Sequence, residues 1–195
     1  STYFSFQFLK TPLPIWTTNT TEDKVGKPQC EADLLMTISK SHITYLHLWY
    51  ENWMKKKVRI TGRFDENKKT RMFIHVKELN YNISEEIVYL NWIQKCAVFM
   101  ITAPYPGHGS VMLLFSVGFR FNPVEKGRWT LFNVRVWNSS IESRRYTDCI
   151  RKFKKLPQKG RGIYNDYCQN IVHEGAKLPI LIMKSQENEF NSYKR

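Results

Sequence analysis

The feature that most constrains the fold of this chain is a two-residue alternation of side chains that recurs along most of its length. In residues 30–38, Ala32, Leu34 and Met36 fall on one face of an extended chain, while Glu31 and Asp33 fall on the other. Such alternation is typical of β-strands, whose successive side chains point to opposite sides. The pattern predicts eight strands, at residues 30–38, 43–49, 57–64, 72–79, 86–92, 95–103, 111–120 and 130–137.

Short connectors that are polar or rich in Gly and Pro separate several of these strands, at residues 65–68, 104–109 and 122–127. Eight short strands at near-regular spacing favour an up-and-down antiparallel barrel, because closure removes the exposed edges of a sheet. A two-sheet sandwich is the structural alternative, since periodicity alone does not show closure. The expected fold class is all-β, with an eight-stranded antiparallel barrel.

Beyond the strands the apolar period lengthens to that of a helix. Ile150, Phe153 and Leu156 recur at helical spacing after Thr147, a suitable N-cap, and Pro157 ends the run. This predicts a C-terminal α-helix that packs on the outside of the barrel. We expect one domain, divided into an N-terminal extension at 1–15, barrel strands within 28–137, the helix at 147–157, an extended tail at 160–172 and frayed residues at 184–195.

The cysteines and the glycosylation sequons both indicate an oxidising compartment. The four cysteines form no close C-x-x-C pair of the kind that binds zinc, so two long-range disulfides are expected. An intracellular protein with free buried thiols is the alternative. Sequons at Asn19, Asn82 and Asn138 support secretion and predict a glycoprotein. The longest apolar run, near 111–117, is far shorter than the roughly 20 residues that span a bilayer, so no membrane span is expected.

The formal net charge of +13 is carried partly in clusters at residues 55–57, 68–71 and 151–155. Such a field attracts polyanions, including nucleic acid and glycosaminoglycans. No nucleic-acid-binding motif accompanies the clusters, so we expect no nucleic-acid partner. The charge is interpreted as a modifier of function, and retention on matrix polysaccharide is one hypothesis for it.

Several short motifs follow one another along the chain. They are Pro14-Ile15-Trp16, Asn19-Thr20-Thr21, Cys96-Ala97-Val98, Arg135-Val136-Trp137-Asn138-Ser139-Ser140, and Cys149 to Cys168 with Tyr164 between them. In order and spacing, these motifs resemble those of the tick salivary lipocalins, the histamine-binding family of ticks. The resemblance spans about residues 9–171 and implies an eight-stranded barrel with a C-terminal helix. It also implies disulfides joining Cys30 with Cys168 and Cys96 with Cys149.

Two positions depart from the pattern of the amine-binding members of that family. Those members carry C-D-V and E-L-W, where this chain has Cys96-Ala97-Val98 and Arg135-Val136-Trp137. A protonated amine enclosed in a cavity of low dielectric needs a carboxylate to offset its desolvation. Since both acids are replaced, capture of histamine or serotonin is disfavoured, although it remains an alternative.

If Cys96 faces outward, alternation directs Ala97, Phe99 and Ile101 inward. The matching register on the last strand directs Asn133, Arg135 and Trp137 inward, and Tyr45, Trp49, Tyr89 and Phe115 are further candidates for the lining. This predicts an apolar, aromatic cavity with one cationic anchor at Arg135.

A guanidinium anchor suits the carboxylate of a fatty-acid-derived mediator such as a leukotriene, which is the leading hypothesis for the ligand. If Arg135 points to solvent or to the mouth of the barrel, a sterol or another neutral lipid suits the interior instead. By resemblance, the expected function is a secreted, monomeric salivary protein that sequesters a host mediator and suppresses inflammation or immunity. The alternative from another class is an immunomodulator that binds a host protein through its surface.

No catalytic motif is present in the sequence. The five histidines show no H-E-x-x-H pattern, and G-x-S-x-G and a Gly-rich phosphate loop are also missing. We therefore expect a binding protein rather than an enzyme, with no cofactor and no metal.

Overall fold

The alternating segments of the chain form antiparallel strands, which pair in a closed ring. The computed structural model describes residues 4–21, 29–76, 81–104 and 128–173. The eight strands are β1 (Ile15–Thr20), β2 (Gln29–Ile38), β3 (His42–Glu51), β4 (Met54–Phe64), β5 (Arg71–Val76), β6 (Tyr81–Asn91), β7 (Cys96–Pro104) and β8 (Arg128–Trp137). Strands β2 to β8 pair in chain order, and β1 closes the barrel by pairing with both β8 and β2.

The eight-stranded barrel expected from the sequence is confirmed. Seven predicted strands are present with slightly different ends. The eighth is β1, of which only Ile15 fell within the expected N-terminal extension at 1–15, and no strand was predicted for its other residues. The predicted strand at 111–120 lies outside the described residues.

One face of every strand meets its counterparts in the interior of the barrel. This interior cluster is mainly aliphatic and aromatic. Its buried members are Phe8, Leu9, Ile15, Ile43, Tyr45, Ile60, Phe64, Met72, Ile74, Ile83, Ile87, Ala97, Phe99, Ile101, Ala103 and Leu131.

The C-terminal segment covers the outside of β1, β2, β7 and β8. It contains α2 (Asn138–Glu142), α3 (Thr147–Phe153), β9 (Arg161–Gly162) and a 3-10 helix at Asp166–Val172. The predicted helix over 147–157 is therefore shorter, and the tail at 160–172 is partly helical rather than extended. Gly160 crosses the face of the Phe153 ring so closely that a Cβ atom there would collide with it.

Two disulfides attach this segment to the outer wall. Cys30 of β2 is bonded to Cys168 of the 3-10 helix, and Cys96 of β7 is bonded to Cys149 of α3. All four cysteines are fully buried in a second cluster with Trp16, between the barrel wall and the C-terminal segment. Both pairs are those that the family resemblance implies.

The N-terminal helix α1 (Phe4–Leu9) lies against one end of the barrel. Phe8 is fully buried there, with its ring centroid 5.8 Å from that of Phe99 and 6.1 Å from that of Trp137. The Trp137 indole N–H donates to the Phe8 carbonyl oxygen at 2.9 Å. The end of the barrel near Trp137 is therefore plugged by α1.

Among the described residues, no helix combines the length and the apolar character needed to cross a bilayer.

Candidate functional site

A buried ion pair crosses the middle of the barrel. Arg135 on β8 and Glu85 on β6 both point inward, and Nη1 and Nη2 of Arg135 each donate to one carboxylate oxygen of Glu85 at 2.8 Å. The two residues are 4% and 1% exposed. This bidentate geometry is the strongest hydrogen-bonded arrangement that a guanidinium and a carboxylate form. Arg135 is therefore held by a partner within the chain.

Two further groups surround the same guanidinium. The Asp33 carboxylate on β2 lies 3.8 Å from Nη1 of Arg135. On another side, the guanidinium carbon lies 4.4 Å from the centroid of the Phe99 ring on β7. A cation over an aromatic face is attracted by the negative potential of the ring. Three strands thus supply groups that stabilise a single positive charge.

His47 on β3 extends this polar network, because its Nδ1 donates to the other oxygen of Asp33 at 2.7 Å. Burial by itself lowers the pKa of His47, but the hydrogen bond to Asp33 and the charges of Asp33 and Glu31 outweigh it and raise the pKa. The protonated form of His47 is therefore favoured, and it balances the charge of Asp33.

Burial raises the pKa of Glu31, and the charges of His47 and Arg161 oppose this shift. The pKa of Tyr45 is also raised, first by burial and then by the charge of Glu85, which keeps its hydroxyl protonated. For Arg135, the charges of Glu85 and Asp33 outweigh burial and raise the pKa further, so it remains a cation. In this network, Arg135 and His47 thus face the carboxyl groups of Glu31, Asp33 and Glu85.

Three buried polar atoms of the interior have no hydrogen-bond partner within the described part of the chain. They are the indole nitrogen of Trp49, the amide oxygen Oδ1 of Asn133 and Nε of Arg135. An unpartnered buried donor or acceptor typically costs about 1–3 kcal/mol. A hydroxyl group can accept a hydrogen bond from one of the two N–H donors and donate one to Oδ1 of Asn133.

The interior beneath α1 is closely packed. A cavity of about 10 Å³ lies there, between Leu9, Thr11, Ile15 and Tyr45, and such a space holds about one water molecule.

No family model matches the sequence, and no curated protein matches it. Solved structures do match the fold. Insecticyanin from the tobacco hornworm Manduca sexta superposes with a TM-score of 0.54 over 92% of this chain and 86% of its own, at 9% sequence identity. This chain has the lipocalin fold.

Two other lipocalin-fold structures match at a TM-score of 0.51 each. One is Japanin from Rhipicephalus appendiculatus bound to cholesterol, at 6% identity over 80% of this chain and 94% of its own. The other is the complex of AM182 with serotonin, at 16% identity over 86% of this chain and 94% of its own. Identities this low establish the shared fold alone. Eight-stranded barrels of the lipocalin type are wide enough to hold one small ligand.

Most of the lining predicted from the sequence lies on the inner face of the lipocalin barrel. Ala97, Phe99, Ile101 and Tyr45 belong to the interior cluster. Asn133, Arg135 and Trp49 are also buried, and Trp137 is half-buried against α1 at the plugged end. Whether these residues contact a ligand stays a prediction.

The placement of Tyr89 in the lining is wrong. Its ring packs in the outer cluster, and Nζ of Lys152 on α3 lies 5.2 Å from the ring centroid. The pairing of β6 with β7 shifts between Ile87 and Tyr89, and this irregularity reverses the alternation that the prediction assumed. Phe115 lies outside the described residues.

The predicted electrostatics of the interior also require correction. Arg135 does point inward, but it is not a free anchor, and the interior is not otherwise apolar. Glu31, Asp33 and Glu85 are all buried there, each less than 8% exposed. The two acids missing from the family pattern are thus offset by acids on other strands.

A signal for two of the missed acids was present in the sequence. Cys30 of β2 faces outward, since it is bonded to the C-terminal segment, and Ala32 shares its face. Alternation from Cys30 then turns Glu31 and Asp33 inward. Glu85 was missed because the predicted strand began at residue 86, whereas β6 begins at Tyr81.

The three sequons lie in different settings. Asn82 on β6 is exposed. Asn19 lies within β1, between its partners on β8 and β9. Asn138 accepts a hydrogen bond from the Trp16 indole at 2.7 Å and donates one to Glu142 at 2.8 Å. Both ends of its side-chain amide therefore have hydrogen-bond partners within the protein.

A row of basic side chains follows the outer face of β4. Four exposed residues lie on one side of the strand, with Thr61 interrupting the row before its last member: Lys55, Lys57, Arg59 and Arg63. Residues two apart on a strand are separated by roughly 6.5–7 Å. We call these four residues the β4 basic row.

Proposed function

We propose that this protein is a secreted carrier that encloses a small, uncharged and mainly apolar molecule in its lipocalin barrel. The observation that carries the proposal is the bidentate pairing of Arg135 with Glu85. Because the guanidinium is already neutralised, a ligand needs no charge of its own to enter, and an anionic head group would meet no free charge at Arg135.

The chemistry of the remaining interior supports a neutral guest. Most of its lining is aliphatic or aromatic, which suits a hydrocarbon body. The unpartnered Trp49 N–H and Asn133 carbonyl oxygen supply one donor and one acceptor for a hydroxyl group. A sterol or a neutral lipid alcohol has this combination, and Japanin, which shares the fold, is described bound to cholesterol.

The same geometry weighs against the anionic mediator that the sequence favoured. A fatty-acid or leukotriene carboxylate would have to displace Glu85 from Arg135 and leave that second carboxylate buried without a partner. Breaking a buried ion pair costs about 3–5 kcal/mol. We therefore place the neutral lipid before the acidic one.

The biological setting belongs to the proposal as well. Two disulfides are typical of proteins from oxidising compartments, and the sequons and the resemblance to tick salivary lipocalins agree with secretion. We propose that the carrier sequesters a mediator of a host and so suppresses inflammation or immunity. It acts by binding, not by catalysis.

The central test is ligand analysis of protein produced in a eukaryotic secretory host. Native mass spectrometry should show a stoichiometric neutral lipid, and delipidated protein should bind cholesterol more tightly than oleate. The variants Trp49→Phe and Asn133→Leu, which keep bulk but remove one polar atom, should weaken binding of cholesterol more than that of its hydroxyl-free analogue cholestane. A barrel that binds none of these lipids, or one that prefers oleate, would contradict the proposal.

A second candidate function rests on the β4 basic row. In the described part of the chain, no carboxylate pairs with Lys57 or Arg59, so their charges are available to a polyanion. A linear sulfated polysaccharide carries repeated charges that such a row can neutralise, and binding would release counterions. It would retain the carrier on extracellular matrix.

The test of this second function is elution from immobilised heparin. Wild-type protein should require salt above the physiological concentration, and the double variant Lys57→Ser with Arg59→Ser should elute earlier. A matched pair on another surface, Lys154→Ser with Lys155→Ser, controls for loss of net charge. Equal shifts for the two pairs would show a diffuse charge effect and contradict a specific role for the β4 basic row.

A further inference from the structure

We infer that Arg135 is an internal cation that occupies an amine-binding site in the barrel, and that it thereby determines which ligands the barrel accepts. The inference depends on the proposed function in one respect, namely that small molecules bind in this interior. It goes further, because it assigns a second class of ligand to the same chamber and names the residue that excludes it.

The groups around the guanidinium are those that recognise a free organic cation. Glu85 provides two charge-assisted hydrogen bonds at 2.8 Å, and Asp33 provides a second negative charge at 3.8 Å. Phe99 presents its ring face at 4.4 Å. Carboxylates combined with an aromatic face are a recurrent arrangement for binding ammonium groups.

The groups that surround the guanidinium lie on strands other than the one that carries Arg135. Asp33 comes from β2, Glu85 from β6 and Phe99 from β7, whereas Arg135 comes from β8. Asp33, Glu85 and Phe99 are each at least nine-tenths buried. Replacing Arg135 by a shorter neutral residue would therefore leave an anionic, aromatic pocket without its occupant.

Charge balance explains why the intact barrel should exclude amines. Arg135 neutralises Glu85, and His47 hydrogen-bonds to Asp33 at 2.7 Å. The third carboxyl group, Glu31, is buried within the field of the same His47. An entering ammonium group would lose its hydration without gaining an ionised partner of its own, which is strongly unfavourable in an interior of low dielectric.

The test compares wild-type protein with Arg135→Gln in titration calorimetry at neutral pH. The probe is tryptamine, and 3-ethylindole, which has the same ring but no ammonium group, is the matched ligand control. We expect no measurable binding of tryptamine to the wild type. Arg135→Gln should bind tryptamine at least about 10-fold more tightly than it binds 3-ethylindole. The double variant Arg135→Gln with Glu85→Gln should lose that preference.

Folding of the variant is part of the same test. Since Arg135→Gln leaves Glu85 without its partner, added tryptamine or ethylguanidinium should raise its Tm, with no effect on the wild type or on the double variant. If the variant folds only in the presence of these cations, the inference is supported. It is overturned if the variant gains no preference for tryptamine, if neither cation stabilises it, or if the wild type binds tryptamine equally well.

These outcomes are separate from those of the proposed function. A wild-type barrel that takes up no neutral lipid would contradict the carrier proposal. The preference of Arg135→Gln for tryptamine is measured independently of that result and tests the inference about Arg135 alone.

Discussion

The guanidinium of Arg135 and the carboxylate of Glu85 face each other across the barrel interior, joined by two hydrogen bonds of 2.8 Å. The pair links β8 to β6, two strands that are not neighbours in the sheet. The pair is therefore a tertiary contact across the barrel interior. It also places one positive and one negative charge there.

Removing one member of this pair should destabilise the protein severely. Glu85→Gln leaves the Arg135 cation buried with a weaker partner, and we expect a loss of about 3–5 kcal/mol in the free energy of unfolding. The double variant Glu85→Leu with Arg135→Leu should lose much less, because it leaves no unpaired charge. Urea denaturation of the single and double variants measures the coupling, and additive losses would show that the pair does not act as a unit.

Stability should fall as the pH rises above the ordinary His47 pKa of 6.5, because the folded-state pKa is raised from that value. The contribution of protonated His47 is complete below 6.5 and is lost as the pH passes through the folded-state pKa. The variant His47→Gln should abolish this part of the pH dependence. Glu31→Gln should only reduce it, because the charge of Glu31 is one of several causes of the raised His47 pKa, and the raised pKa of Glu31 acts with the same sign from 4.5 upward. Thermal melts from pH 6 to 9 provide the measurement, and identical profiles for wild type and His47→Gln would refute the assignment.

Loss of the Phe8 side chain should open the plugged end of the barrel. Phe8→Ala creates a cavity beside Phe99 and Trp137, and we expect a cost of about 3–5 kcal/mol. Phe8→Leu should cost less. The backbone acceptor of the Trp137 N–H survives both changes, so any shift of indole fluorescence reports packing and solvent entry. A loss below about 1 kcal/mol for Phe8→Ala would show that α1 contributes little to closure.

The two disulfides should contribute unequally. The Cys30–Cys168 bond joins residues 138 apart in the sequence, and the Cys96–Cys149 bond joins residues 53 apart. In the chain-entropy model, removing the first costs about 5 kcal/mol and removing the second about 4 kcal/mol. Paired Cys→Ser variants under oxidising conditions test this order by urea denaturation. A larger loss for the Cys96–Cys149 pair would mean that its native-state contacts outweigh chain entropy.

Of the three sequons, Asn82 should carry a glycan in protein from a eukaryotic secretory host. Its side chain is exposed, whereas the Asn138 amide hydrogen-bonds to Trp16 and Glu142. Asn82→Gln should therefore reduce the mass of the intact protein by one glycan. Asn138→Gln should leave the glycan mass unchanged, and the opposite result would contradict this assignment.

Most strands could be predicted from the sequence because their inner and outer faces differ in polarity. The exception is β1, which the C-terminal segment covers on the outside and the barrel interior covers on the inside. Polar residues are buried in this strand, namely Thr17, Thr18 and Thr20. The sequence of β1 therefore lacks the alternation of apolar and polar residues that marks a half-buried strand. The hydroxyl of Thr18 donates to the Val134 carbonyl oxygen, so its burial is compatible with a hydrogen bond that the sequence does not reveal.

The site could be predicted only in part, for a related reason. Alternation correctly placed Arg135 and Phe99 on the inner face, but it did not reveal what lies opposite them. The partners of Arg135 come from residues 50 and about 100 positions away. In β2, both faces are covered, one by the interior and one by the C-terminal segment. The apolar face of β2 therefore does not mark the side that points into the barrel. The outward direction of Cys30 identifies the inner face.

Both disulfides bind the outer wall to the C-terminal segment, and neither contributes a sulfur atom to the bore. The disulfides and the barrel interior therefore lie on opposite sides of the same strands. Substitutions on the inner face leave both covalent bonds in place. During evolution, the inner face can therefore change while the bonds that hold the C-terminal segment to the barrel persist.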